Sequence, residues 1–216
     1  MKGKFITIEG GEGTGKSTQN RLLCEYLQTK EIKSVVTKEP GGTDVGIELR
    51  RLLVTGDVDK FDHIAEVLLY YADRRIHLTK KVWPAMERGE WVVSDRYADS
   101  TMAYQYYGYG KRISKEDLAG LYDIVAGDFL PDLTLILDID PKIGLERSMS
   151  KAGQMMFKEI RFESRELEFH YNMRNGFLEI AKDNPSRCVV LDANKTIEEL
   201  HKDIVELVNE RFGLNA

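Results

Sequence analysis

Cysteine is nearly absent from this chain of 216 residues: only Cys24 and Cys188 occur, and neither lies in a C-x-x-C pair. A disulfide framework is therefore not expected, and two inert thiols in a reducing cytosol are. Long apolar runs are missing as well. The N-terminal stretch MKGKFITIEGG loses its apolar character at Glu9, so it does not read as a secretory signal. No segment approaches the roughly 20 apolar residues of a membrane span. Neither sign of charge dominates, and a net charge of −5 argues against broad binding to nucleic acid or to an anionic membrane surface. Ser/Gly-rich linkers, low-complexity tracts and internal repeats are absent too. What remains is a cytoplasmic globular chain, 42% hydrophobic and 31% charged. It is long enough to bury a core as one domain, or as one domain with a small mobile insertion.

Five short, β-branched runs stand out: Phe5–Ile8, Ser34–Thr37, Trp91–Ser94, Leu133–Leu137 and Cys188–Leu191. They are mostly continuous rather than alternating, as strands buried on both faces are. Helical stripes separate them. One runs through Leu22, Leu23, Tyr26 and Leu27, and a second through Ala65, Leu68, Leu69, Ala72, Ile76 and Val82, with Pro84 kinking its end. A third steps along Phe162, Glu166, Phe169, Met173, Phe177 and Ile180, and a last helix spans about Thr196 to Phe212. Strands alternating with helices predict an α/β fold around a five-stranded parallel sheet. Gly56–Asp59 and Asn184–Arg187 read as surface turns. Ser148–Gln154 is small, polar and without period, which suits either a lid or an ordinary connector between helices.

The segment Gly10, Gly11, Glu12, Gly13, Thr14, Gly15, Lys16, Ser17, Thr18 fits G-x-x-x-x-G-K-[ST] between a strand and an amphipathic helix. Glycines permit the backbone to turn successive N–H groups toward one anion at a helix N-terminus. In that arrangement Lys16 reaches the β- and γ-phosphates of ATP and Ser17 offers its hydroxyl to Mg2+. A GTPase switch would need N-K-x-D, and Asn194-Lys195-Thr196-Ile197 fails at the aspartate; Asp117–Gly120 matches D-x-x-G but sits in a helical pattern. A small-molecule kinase instead needs a second anion site facing the phosphate loop. Glu39-Pro40-Gly41-Gly42-Thr43 follows the second strand, with Arg50 and Arg51 on the next helix, and Asp95-Arg96-Tyr97 follows the third strand. Arg50 and Arg96 are candidates to clamp a monophosphate, and Asp95 and Glu9 to hold Mg2+ directly or through water.

Taken in order, these segments resemble the bacterial thymidylate kinases. The likeness runs through Ile8–Thr18, Thr37–Thr43, Ala65–Arg74, Ser94–Gln105, Pro131–Thr134 and Arg161–Glu163, nearly the whole chain. It implies a single domain over residues 1–216, with the phosphate loop at 10–18 and a lid at about 148–163. It also implies ATP and thymidine monophosphate (dTMP) as substrates, dTDP and ADP as products, and a homodimer. Tyr70 matches the aromatic residue that stacks on thymine, usually phenylalanine. Arg74 matches the residue that donates to a thymine carbonyl; Ser100, Thr101 and Gln105 match the polar segment along the pyrimidine edge. Glu12 matches the carboxylate near the sugar 3′-hydroxyl, and Glu39 and Pro40 belong to the acceptor-side loop.

A phosphate oxygen of the acceptor is already an adequate nucleophile, so catalysis reduces to positioning and neutralisation of charge. Eukaryotic-type members carry an arginine inside the phosphate loop, whereas Gly11–Thr14 has none. The resemblance therefore assigns the missing cation to the lid, which offers Lys151, Lys158 and Arg161. Arg161 is the favoured one because it matches the family's aspartate-arginine segment, although Ile160 stands where the family has aspartate. Two other readings stay open: a kinase for another nucleotide or nucleoside, and a nucleotide-binding protein without transferase activity.

Overall fold

The computed structural model describes residues 3–152, 161–162 and 165–214. Its framework is a five-stranded, wholly parallel sheet in the order β2-β3-β1-β4-β5. The strands are β1 (Phe5–Gly10), β2 (Ser34–Lys38), β3 (Trp91–Asp95), β4 (Leu133–Asp138) and β5 (Cys188–Asp192). Each strand begins where the sequence predicts and ends one or two residues beyond. Central β1 and β4 are buried almost throughout, whereas edge strands β2 and β5 show residues to solvent, so the two-face burial expected for all five holds only in the middle.

Side chains alternate between the faces of the sheet. Ile6, Ile8, Leu133, Leu135 and Leu137 pack on one face with Leu23 and Leu27 of α1 (Lys16–Thr29). On the other face Phe5 packs in a cluster with α3 (His63–His77), α4 (Trp83–Glu87), α5 (Ala98–Thr101) and α6 (Lys115–Ala126), while α2 (Asp44–Val54) packs on α3. The chain then continues through α7 (Pro141–Ala152) to α8 (Leu167–Asp183), whose Phe169, Met173 and Phe177 pack around Tyr104 and Ile136. α9 (Ile197–Phe212) returns to the α1 face through Leu200, Ile204 and Val208. It begins in a capping box, in which Thr196 and Glu199 satisfy each other's exposed backbone N–H groups.

Three helical expectations need correction. The stripe assigned to the core side of α3 is turned the other way: Leu68 and Ala72 are exposed, and Ala65, Leu69 and Ile76 are only partly covered. The buried side carries Glu66, Val67, Tyr71, Asp73, Arg74 and His77, because those charged groups find partners inside. The third stripe is broken, since α8 starts at Leu167 and exposed Glu166 only precedes it; Phe162 lies in a separate turn. Ser148–Ala152 is the last turn of α7 rather than a loop, and residues 153 and 154 lie outside the described residues. Pro84 does mark an irregularity. It occupies the first turn of α4, directly after a five-residue wide turn, Leu78–Val82, that breaks the α-helical register.

Candidate active site

The carboxyl ends of β1, β2 and β3 open onto one cleft of about 330 Å³. β1 feeds the phosphate loop, β2 the Glu39–Thr43 turn and β3 the Asp95–Arg96 turn, and adjacent β1 and β4 have crossovers leaving in opposite directions. Such a switch point is where open α/β sheets take ligands.

Two glycines of the phosphate loop are required by close approach. At Gly13, φ is +67°, and a Cβ would lie 1.9 Å from the Gly144 carbonyl oxygen; at Gly10, φ is +133°, and a Cβ would lie 2.4 Å from that of Leu137. Lys16 folds back, its Nζ donating to the Gly11 carbonyl at 2.5 Å. Burial, with Arg96 nearby, lowers its pKa to about 8. Ser17 Oγ donates to Asp95 Oδ2 at 2.5 Å, which puts a hydroxyl and a carboxylate side by side at the loop's mouth. Both are hard oxygen donors of the kind that suit Mg2+.

Arg96 is the hub between the two halves. Its backbone has φ +73°, uncommon for a side-chain-bearing residue, and it is held there by an N–H bond to the Ile8 carbonyl at 3.0 Å. Its guanidinium donates to the Gly10 carbonyl (2.9 Å), Glu12 Oε1 (3.0 Å) and Ser100 Oγ (3.2 Å), and lies 4.8 Å from the centre of the Tyr104 ring. Tyr104 also donates to Glu12 Oε1 at 2.5 Å. Burial opposes the charge on Glu12, but Arg96 and Lys16 outweigh it and hold the carboxyl down at about 2.

On the acceptor side, Arg74 is almost wholly buried. It donates from Nε to Glu39 Oε2 and from Nη2 to Thr101 Oγ1, both at 2.9 Å. Glu39 also accepts from His77 Nδ1 at 2.7 Å, and His77 Nε2 pairs with the Thr37 hydroxyl at 2.7 Å. This buried chain ties the start of the Glu39–Thr43 turn to α3. Arg50 donates to the Pro40 carbonyl at 3.0 Å. Tyr70, half-buried, lines the cleft on the α3 side. Gln105 lines it from the segment after α5, with Nε2 donating to Glu66 Oε1 at 2.8 Å. Arg74 Nη1 and Gln105 Oε1 are both buried and have no protein partner among the described residues.

The structure thus brings Glu12, Gly13, Gly15, Lys16, Ser17, Thr18, Glu39, Pro40, Arg50, Tyr70, Arg74, Asp95, Arg96, Ser100, Thr101 and Gln105 to one cleft. Of the other predicted residues, Gly10, Gly11 and Thr14 belong to the phosphate loop without lining this cleft, and Glu9 and Arg161 are placed elsewhere. Strand alternation turns Glu9 to the same side as Phe5 and Thr7, where it is fully enclosed and accepts from Tyr97 N–H (2.8 Å) and Ser100 Oγ (2.5 Å). Burial and the charge of Asp99 raise its pKa to about 8, and with these two bonds Glu9 anchors the Arg96–Thr101 turn rather than lining the cleft beside Ser17 and Asp95. Arg161 is also enclosed, against Glu66 and the carbonyls of Leu53, Asp57 and Val58, rather than aimed at the phosphate loop. Lys158, Ile160 and Glu163, and the side chain of Lys151, lie outside the described residues.

Lys38, Val54 and Tyr104 also line the cleft without having been named as site residues, and Ser148 and Phe162, from the expected lid range, line it too. Tyr104 was legible in principle, four residues after Ser100 and so on the same helical face.

A phosphate loop at the head of a parallel sheet, facing Arg50, Arg74 and Arg96 across one cleft, defines a P-loop phosphotransferase. The family model "Thymidylate kinase" matches residues 8–204. A thymidylate kinase of Magnetococcus marinus is 42% identical over 212 residues, covering 98% of each chain, and one of Carboxydothermus hydrogenoformans is 42% identical over the full length of both. The crystal structure of thymidylate kinase from Ehrlichia chaffeensis aligns with a TM-score of 0.75 at 34% identity, covering 96% of this chain and 99% of that one. The chain belongs to the thymidylate kinase family.

Proposed function

We propose that this chain transfers the γ-phosphoryl group of ATP to dTMP, giving dTDP and ADP, as a step toward dTTP. The observation that carries the reading is a buried, unpartnered donor, Arg74 Nη1, and a buried, unpartnered acceptor, Gln105 Oε1, on two residues that both line the phosphate-loop cleft. Thymine presents the complement, with O4 accepting and N3–H donating. Cytosine presents the reverse, and a mismatch would leave buried polar groups unpaired. Tyr70 stacks on the ring, Arg50 and Arg96 hold the acceptor phosphate, and Glu12 accepts from the sugar 3′-hydroxyl.

Lys16 leaves the Gly11 carbonyl to meet the β- and γ-phosphates. Ser17 and Asp95 hold Mg2+, which when bound supplies neutralisation of phosphate charge. A phosphate oxygen of dTMP attacks in line while Arg96 and Lys16 balance the charge on the moving group. Residues 1–216 form one domain with a lid at 148–163, and its cation falls to Lys151 or Lys158 because Arg161 is engaged elsewhere.

The homodimer is supported by the apolar side chains that α2 and α3 expose together, Ile47, Leu52, Ile64 and Leu68. Light scattering is expected to give twice the chain mass, and Leu68→Glu to give the single mass; a wild-type monomer contradicts this. Among the described residues no helix is long and apolar enough to cross a membrane, and we place the activity in the cytoplasm without nucleic-acid or membrane partners. Coupled ADP release with ATP and each nucleoside monophosphate in turn tests the substrate assignment. Turnover with dTMP at or below that with dCMP overturns it.

A further inference from the structure

Arg161 occupies a position for which the reaction offers no direct use. Its guanidinium donates to the carbonyls of Asp57 (3.0 Å), Leu53 (3.0 Å) and Val58 (2.8 Å) and forms an ion pair with Glu66, and the residue is 1% exposed. The other oxygen of Glu66 accepts from Gln105 Nε2 at 2.8 Å and from the Tyr109 hydroxyl at 3.0 Å. A buried chain therefore leads from Arg161 through Glu66 to Gln105, whose remaining amide atom, Oε1, is buried, unpartnered and part of a residue lining the cleft.

A primary amide is two-sided: turned over, Gln105 would present its NH2 where it now presents oxygen. What decides between the two is the neighbour. A carboxylate only accepts, so it requires the NH2 to face it and sends the oxygen the other way. A carboxyl group buried without a cation tends to take up a proton, and it then donates as well as accepts. Both amide orientations become open at that point. An arginine in contact prevents this, because a guanidinium keeps its charge under all ordinary conditions. Presenting Oε1 to a bound base, Gln105 would accept from the N3–H of thymine; presenting NH2, it would donate to the bare N3 of cytosine.

We propose that Arg161 is a positioning residue for pyrimidine selection, locking the Gln105 amide through Glu66 in the orientation that accepts from thymine. The inference rests on the reading of Gln105 as a base-facing residue. It replaces a contact with the transferred phosphoryl group by an action on the opposite end of the acceptor, and the kinetic signature changes accordingly.

The test compares kcat/KM for dTMP and dCMP, KM for ATP and Tm in wild type, Arg161→Lys, Arg161→Met, Glu66→Gln and Gln105→Ala. Arg161→Met and Glu66→Gln are expected to lower the dTMP-to-dCMP ratio about tenfold or more. KM for ATP stays within about twofold, since ATP binds at the other end. Arg161→Lys, which keeps a cation but not the three-way fork, is expected to keep the ratio while losing Tm. A ratio unchanged in Arg161→Met and Glu66→Gln, with Tm alone reduced, makes Arg161 purely structural and overturns the inference. Should Arg161→Met fail to fold, Glu66→Gln, which conserves volume, decides by the same criterion. A ratio that falls in Gln105→Ala but not in those two variants overturns the inference alone; a ratio untouched by Gln105→Ala overturns the base-facing reading with it.

Discussion

Replacing Arg96 separates two things its position combines: an uncommon backbone conformation and a charge at the centre of the site. Arg96→Ala and Arg96→Gly remove the same contacts to Gly10, Glu12, Ser100 and the Tyr104 ring. Both should lose phosphoryl transfer by about 10³-fold or more, the scale on which a cation at the moving phosphoryl group acts. They should differ in stability. At φ +73° alanine suffers a steric cost of about 1–2 kcal/mol, and glycine does not. Glycine loses about 0.5–1 kcal/mol more backbone entropy on folding, which leaves roughly 0.5–1 kcal/mol in its favour. For a chain of this length that is a Tm roughly 1–4 °C higher for Arg96→Gly. Stopped-flow or coupled assays give kcat, and differential scanning calorimetry gives the order of Tm. More than a tenth of wild-type kcat in either variant removes Arg96 from the phosphoryl site. An alanine variant more stable than the glycine one refutes the backbone argument.

The lowered pKa of Lys16, about 8, should appear as a fall in kcat/KM for ATP above about pH 8, because that ratio reports the free enzyme; a limb flat to about pH 9.5 contradicts it. Tyr70→Ala should raise KM for dTMP well beyond any change in KM for ATP, by the roughly 1–3 kcal/mol of one stacked base. Equal changes in both would place Tyr70 in the core instead. Glu9 is raised from 4.5 to about 8, so its contribution to stability is full below about pH 4.5 and lost as pH rises through 8. Glu9→Gln should therefore flatten the decline of Tm between about pH 5 and pH 9, and an unchanged slope would show that Glu9 is ionised in the folded protein.

Strands and phosphate loop were legible because their signals are local. A buried β-branched run announces itself, and G-x-x-x-x-G-K-[ST] after such a run leaves few alternatives. The inward face of α3 was not legible, because apolar periodicity assumes that the buried side is apolar. Here Glu66, Arg74 and His77 are buried because Arg161, Glu39 and Thr37 meet them from distant parts of the chain, and no window of sequence contains those pairs. The same long-range pairing holds Arg161 against Glu66 and the carbonyls of Leu53, Asp57 and Val58 instead of the phosphate loop. The partners of Glu9 were hidden for a different reason: a carboxylate next to a phosphate loop suggests a metal, whereas strand parity turns it to Tyr97 and Ser100.

The most direct measurement offers the enzyme a choice. With ATP limiting and dTMP, dUMP, dCMP, dAMP and dGMP present at equal concentration, chromatographic identification of the first diphosphate formed reads the acceptor site without reference to any variant. The donor–acceptor pair of Arg74 and Gln105 predicts dTDP as the main product, formed one for one with ADP, and dCDP at or near background. A mixture in which dCDP or a purine diphosphate matches dTDP would contradict the account.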